Sequence, residues 1–273
     1  MKGMISMLKN QKWCKATNLA ERQDFCLVMT HDIDSLLSCN YLNRKFGIEV
    51  GGFFDYKKLM LSNQSLNKNP IYVDCDLTNG LCYGNHFTFI NNPNAVNFNN
   101  AVIEYHKKYA GSTIMMLISL YEENLDEFTD EQLFFYSIID GFYQQFFRFR
   151  PVWDYWVNEM KMTRLTGILE QYTAKDMLKV VDKYQLKCPI GLSKMGTLYW
   201  NGKIKDIYND FGIDIVVPKG KFNMIDKRFK TLDKHIDDVT DEDMSSMFSN
   251  VRTYRDKVQY SIITKDWGND YVI

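Results

Sequence analysis

The stretch FCLVMTHDIDSLLSCNYLNRKFG, residues 25–47, decides the architecture. Phe25 to Thr30 is a short apolar run closed by a polar residue, the pattern of a strand buried in a parallel sheet. From Asp34 to Phe46 the spacing becomes helical, with Leu36, Leu37 and Tyr41 on one side and Gly47 placed to end the helix. His31, Asp32 and Asp34 occupy the turn between strand and helix. Working outward, Ile48 to Tyr56 reads as a second strand, Asn63 to Pro70 as an Asn/Ser/Pro loop, and Ile71 to Asp74 as a third strand. Strand, helix, strand, loop, strand predicts an α/β fold whose N-terminal part is an open, mostly parallel sheet flanked by helices.

After Asn91-Asn92-Pro93 the pattern turns helical, over Asn100 to Glu122 and Asp130 to Arg148. Pro151 is the expected end of a first domain, residues 1–150. Residues 151–273 then read as a helical connector (Asp154 to Lys187) followed by a smaller α/β or α+β part. In that part TLYWNGK (197–203) resembles a hairpin and IDIVVP (213–218) a strand.

The 273 residues are 45% hydrophobic and 25% charged, the composition of a globular chain that can bury a sizeable core. No apolar run is long enough to span a bilayer, and the leading residues carry Lys2, Lys9 and Lys12 without a signal-peptide core, so a cytoplasmic protein is expected. The six cysteines form no CxxC pair and read as reduced thiols. A formal net charge of −1 argues against a generally basic nucleic-acid coat protein and leaves room for a local basic groove.

Chemistry is suggested by where the acids sit. Asp32 and Asp34 follow one apolar strand, and Asp74 and Asp76 follow another. In open parallel sheets ligands bind beyond the carboxyl ends of the strands, so the two pairs should share a crevice. Crowded carboxylates repel, and a divalent cation is the usual compensator. Oxygen ligands suit Mg²⁺ or Mn²⁺, and Mn²⁺ tolerates imidazole, which His31 and His86 could supply. The structural alternative for either pair is helix N-capping.

The segment THDIDSLLSCNYL (30–42) resembles the first motif of the DHH phosphoesterase superfamily. VDCDL (73–77) is similar to its second acidic strand end, and GNHFT (84–88) falls where the name-giving triplet should be. AGSTIMMLISLY (110–121) resembles the helix that follows, and SIIDGF (137–142) would supply a further aspartate, Asp140. The resemblance spans about 115 residues. It implies metal-dependent phosphoester hydrolysis, with Asp32, Asp34, Asp74 and Asp140 on Mn²⁺ or Mg²⁺. His86 and possibly His31 would contact the phosphate or the metal, and Asp76 would orient them.

Gly84-Asn85-His86 retains only the last residue of the triplet, and so a catalytically inactive DHH-like binding module stands as an alternative. VDCDLT also matches the Asp-x-Asp-x-Thr signature of haloacid-dehalogenase-type phosphatases, with Asp74 as nucleophile and Asp76 as general acid. The partner implied is a nucleotide or a short single-stranded nucleic acid. Its positive wall is best sought at Lys219, Lys221 and Arg228, although the mixed charge of 219–243 equally describes a solvated face. The aromatic run 134–156, interleaved with Arg148 and Arg150, reads as core or as an interface between domains or subunits, which would suit a homo-oligomer.

Overall fold

Apolar β-branched and aromatic runs supply nine strands to one mixed sheet, and helices cover one of its faces. The computed structural model describes residues 13–21, 24–122 and 125–266, so Lys2, Lys9 and Lys12 lie outside the described residues. In chain order the elements are α1 (Ala16–Glu21), β1 (Phe25–Met29), α2 (Ile33–Phe46), β2 (Val50–Phe54), β3 (Lys58–Leu61), β4 (Asn69–Val73), β5 (Leu81–Tyr83) and β6 (Ala95–Val96). A helical run follows: α3 (Thr113–Tyr121), α4 (Asp130–Ile138), α5 (Phe142–Arg148), α6 (Arg150–Glu159), α7 (Arg164–Leu169) and α8 (Ala174–Lys183). The small hairpin β7 (Gly191–Leu192) and β8 (Leu198–Tyr199), then α9 (Ile204–Phe211), lead to β9 (Met224–His235), α10 (Asp241–Ser246), β10 (Met247–Arg252) and β11 (Lys257–Asp266). Among the described residues no helix is long and apolar enough to cross a membrane.

The strand order is β10-β11-β9-β3-β2-β1-β4-β5-β6. From β2 to β6 every neighbour pair is parallel, as the N-terminal pattern predicts, and from β2 outward to β10 every pair is antiparallel. The chain leaves β1 for β2 on one side and returns to β4 on the other. The gap between the carboxyl ends of β1 and β4 is therefore a topological switch point, where such sheets bind ligands.

Alternation along the strands divides the core. Leu27, Met29, Phe53, Ile71 and Val73 pack under the helices, whereas Val28, Phe54 and Tyr72 face the other way. That second face is covered by the sheet's own far end. Phe229 of β9 and Phe248 of β10 meet Phe54 at ring-centroid distances of 4.8 and 5.6 Å, and Phe248 also meets Tyr72 at 5.6 Å. The sheet has curled until β10 touches the segment after β4, where Thr78 N donates to Phe248 O and Asn250 N donates to Asp76 O, both at 2.9 Å. The expected boundary near Pro151 is thus spanned by the sheet.

Three local expectations change. The 130–148 helix breaks at Asp140 and Gly141, both left-handed, with φ of 55° and 80°. Of the expected helix at 100–122, only Thr113–Tyr121 is regular α-helix, because Asn97 and Asn99 fold the preceding loop through side-chain hydrogen bonds. IDIVVP forms no strand. The side chain of Asn40 takes both the N–H and the carbonyl of Val216, at 2.7 and 2.8 Å, where a neighbouring strand would otherwise pair.

Candidate metal centre

The turn after β1 separates two acids that the sequence presents as a pair. Asp32 caps α2, its Oδ1 accepting the Ser35 amide at 3.0 Å, which is the capping role weighed against a ligand role. Ser35 then ties the two central strands together. Its Oγ accepts from Thr30 N at 2.8 Å and donates to Val73 O at 2.9 Å.

Asp34 is fully buried and points across to the next helix, where its two oxygens accept the amides of Thr113 at 2.6 Å and Ile114 at 2.9 Å. These are the first amides of α3, left without partners inside their own helix, so an anion is favoured there. Asp74, buried at the end of β4, has a left-handed backbone (φ 57°) and accepts from Thr113 Oγ1 at 2.9 Å. Asp140 reaches the same place from the break between α4 and α5. Asn85 Nδ2 donates to Asp140 Oδ2 at 2.8 Å and to Gly111 O at 3.0 Å, and lies 3.5 Å from Asp34 Oδ2.

One carboxylate oxygen from each of Asp34, Asp74 and Asp140 lies within 4.8 Å of the others. Desolvation and then mutual repulsion with the neighbouring aspartates raise Asp34 and Asp74 well above the ordinary carboxylate range. The Thr113 and Ile114 amides work against the rise at Asp34. Asp140 is raised as well, by desolvation and by Asp32, against the His86 charge and the Asn85 hydrogen bond, which favour its charged form. Among the described residues the trio is paired by amides and hydroxyls, with the His86 charge acting on Asp140 and no lysine or arginine ion-paired to any of the three. Two strained aspartates in a cluster of carboxyl groups that resist ionisation together, at a switch point, fit a hard cation with oxygen ligands. The residues that would hold it are Asp34, Asp74 and Asp140, and a bound divalent ion there would supply an acidified water.

The other predicted residues are not among the three convergent carboxylates. Asp76 is buried beside the trio and serves His86, accepting from Asn97 Nδ2 at 2.6 Å and meeting His86 Nδ1 at 2.9 Å. Gly84 makes room for it, since a Cβ there would sit 1.9 Å from Asp76 Oδ1. His86 is about half exposed, at 48% of its side chain. Partial burial works against its charged form, but the Asp76 hydrogen bond and charge outweigh that and raise its pKa. His31 packs edge-on against Tyr56 at 5.5 Å, and its buried Nδ1 has no hydrogen-bond partner.

The proposed positive wall is split. Lys219 and Lys221 line a cavity of about 530 Å³ with Asn40, Arg44 and Ser62, at the amino end of β2 and the far end of α2 from the acids. Arg228 is exposed on β9, opposite Lys58. These three basic residues do not form one surface around the trio. What the motif reading missed is Asn85, which occupies the centre while His86 turns outward to Asp76. The signal was present in the Gly84-Asn85-His86 triplet, but which member faces inward depends on the fold. Comparison of the chain with models of known protein families, with curated proteins and with solved structures returns no match.

Proposed function

We propose that the chain is a divalent-metal-dependent phosphoesterase-like protein acting on a nucleotide or a short nucleic acid, of the kind that its resemblance to the DHH superfamily implies. The carrying observation is the convergence of Asp34, Asp74 and Asp140 at the carboxyl ends of β1 and β4. These three residues come from separate elements, and burying their charges together is costly unless a cation or a proton compensates. His86, held by Asp76 and half open to solvent, is suited to exchange a proton with a phosphoester bound at the trio.

The test is a Mn²⁺ titration followed by melting temperature, with hydrolysis of bis(p-nitrophenyl) phosphate in parallel. Wild type is expected to gain stability with Mn²⁺ by mass action and to release p-nitrophenol, and Asp34→Asn and Asp74→Asn to do neither. Stabilisation by Mn²⁺ without hydrolysis would favour the non-catalytic binding module. Indifference of wild type to millimolar Mn²⁺ would show that the trio is compensated by a shared proton instead.

A further inference from the structure

The cavity that holds Lys219 and Lys221 has no part in the proposed reaction. Its volume, about 530 Å³, lies within the roughly 300–1,000 Å³ of small-molecule sites. Arg44, which also lines it, follows Asp34 on α2 by ten residues, about 15 Å along the helix at its rise per residue. The cavity is thus separate from the trio. Local chemistry fixes its walls. The turn Asn63–Ser65 is pressed onto β2, where Ser62 N donates to Gly51 O at 2.9 Å and a Cβ on Gly51 would stand 2.0 Å from Ser65 Oγ. On the segment 213–218, Asn40 takes both backbone polar groups of Val216, and Arg44 donates to Asp214 O at 3.0 Å. Lys221 is bridged to Thr197, and the buried Phe222 anchors the chain beside it. A segment of strand-like sequence is kept out of the sheet and serves as a cavity wall.

Five charged side chains line this space: Arg44, Lys219 and Lys221, with Glu49 and Asp214. All five are exposed, so a ligand can reach them. Among the described residues none of the five makes an ion pair. Elsewhere on the surface neighbouring acids and bases do pair, as Arg150 does with Asp154 and Glu170, and Lys183 with Asp210. Here both signs face one cavity without meeting. Such a lining complements a ligand that itself carries both signs.

We infer that this cavity binds an α-amino acid with a second carboxylate, its carboxylates on Arg44, Lys219 and Lys221 and its ammonium on Glu49 and Asp214. Sign and count carry the choice. Three cations against two carboxylates leave the lining with one net positive charge, and an acidic amino acid carries one net negative charge. An inorganic anion or a plain dicarboxylate would meet Glu49 and Asp214 with like charge, which weakens a complex. A simple cation would leave the three bases unused, and a neutral amino acid would leave one of them unmatched. The metal centre plays no part in this binding.

Calorimetric titration of the full chain in EDTA, where no metal contributes, decides the matter with L-glutamate, glutarate and L-glutamine as probes. Glutarate lacks the ammonium, and L-glutamine lacks the second carboxylate. L-Glutamate is expected to bind at least about tenfold tighter than either, the worth of one charge-assisted hydrogen bond. The double variant Glu49→Gln with Asp214→Asn should lose the preference over glutarate and keep the preference over L-glutamine. Lys219→Ala with Lys221→Ala should weaken L-glutamate by at least about tenfold on the same grounds. Lys108→Ala, in the cavity beside Asp140, should alter none of the affinities. All four substituted positions of the double variants are exposed, and the three probes on wild type decide the question even without them. No binding of L-glutamate at millimolar concentration would overturn the inference. So would equal affinity for L-glutamate and glutarate, the mark of a plain anion site, or an L-glutamate affinity untouched in both double variants.

Discussion

Asp34 has a structural role beside the ligand role proposed for it. Its oxygens take the Thr113 and Ile114 amides, which makes it a cap for α3 supplied by α2. Asp34→Ala is expected to leave both buried amides unpaired, at roughly 1–3 kcal/mol each. Asp34→Asn keeps one acceptor oxygen and turns its NH2 on the other amide, so it should lose about half as much stability as Asp34→Ala, together with the response to Mn²⁺. Urea denaturation of the two variants, with and without Mn²⁺, checks this. If Asp34→Asn responds to Mn²⁺ as wild type does, Asp34 is a cap and not a ligand. Asp32, its neighbour in the motif, caps its own helix and also stands against the trio, where its charge helps to raise Asp34, Asp74 and Asp140.

At the scale of elements the decisive feature is the break between α4 and α5. Asp140 and Gly141 are both left-handed, and for Asp140 this conformation carries a backbone cost. Asp140→Gly removes that cost and one of the repelling carboxylates. Metal-free stability is expected to rise by up to about 1 kcal/mol, and the Mn²⁺ response to fall. The opposite pair of results, lower stability with an unchanged Mn²⁺ response, would mark Asp140 as a structural residue. An apolar pattern such as SIIDGFYQQFF reads as one continuous helix, because periodicity reports which face is buried and not where the axis turns. Here the turn is what delivers Asp140 to the acids.

Over the whole molecule the curled sheet joins N- and C-terminal segments. β9 pairs with β3, and β10 reaches Asp76 and Thr78, next to the candidate site. Asn250 Oδ1 also accepts the amides of Phe89 and Ile90, just beyond His86. A fragment of residues 1–150 would expose the edge of β3 and the Phe54 cluster, and it is expected to lack the single cooperative transition of the full chain. A fragment with a sharp melt and dispersed NMR signals would show two independent domains instead. The charge network also sets a pH dependence. Asp34, Asp74 and His86 all have pKa values raised by folding, so their contribution to stability is complete below the unfolded values and is lost as pH rises through the folded ones. The metal-free melting temperature should therefore fall between about pH 5 and 8, and Mn²⁺ should flatten the slope. A melting temperature that rises over this range in EDTA would contradict the raised values.

The apolar runs and their periods were enough to place β1, α2, β2 and β4 and to put Asp34 and Asp74 at adjacent strand ends, because burial on both faces leaves a parallel strand few other patterns. The sequence by itself also marked Asp140 as an acid inside an apolar stretch. β9 was obscured because its alternation of Phe229 with lysines and arginines resembles a solvated charged face. Only the curl of the sheet gives Phe229 and Phe248 something to pack against. The same holds at the site. That Asn85 faces the trio, that His86 turns to Asp76, and that Lys219 and Lys221 lie at the other end of α2 were decided by tertiary contacts between residues far apart in the chain, which no local pattern encodes.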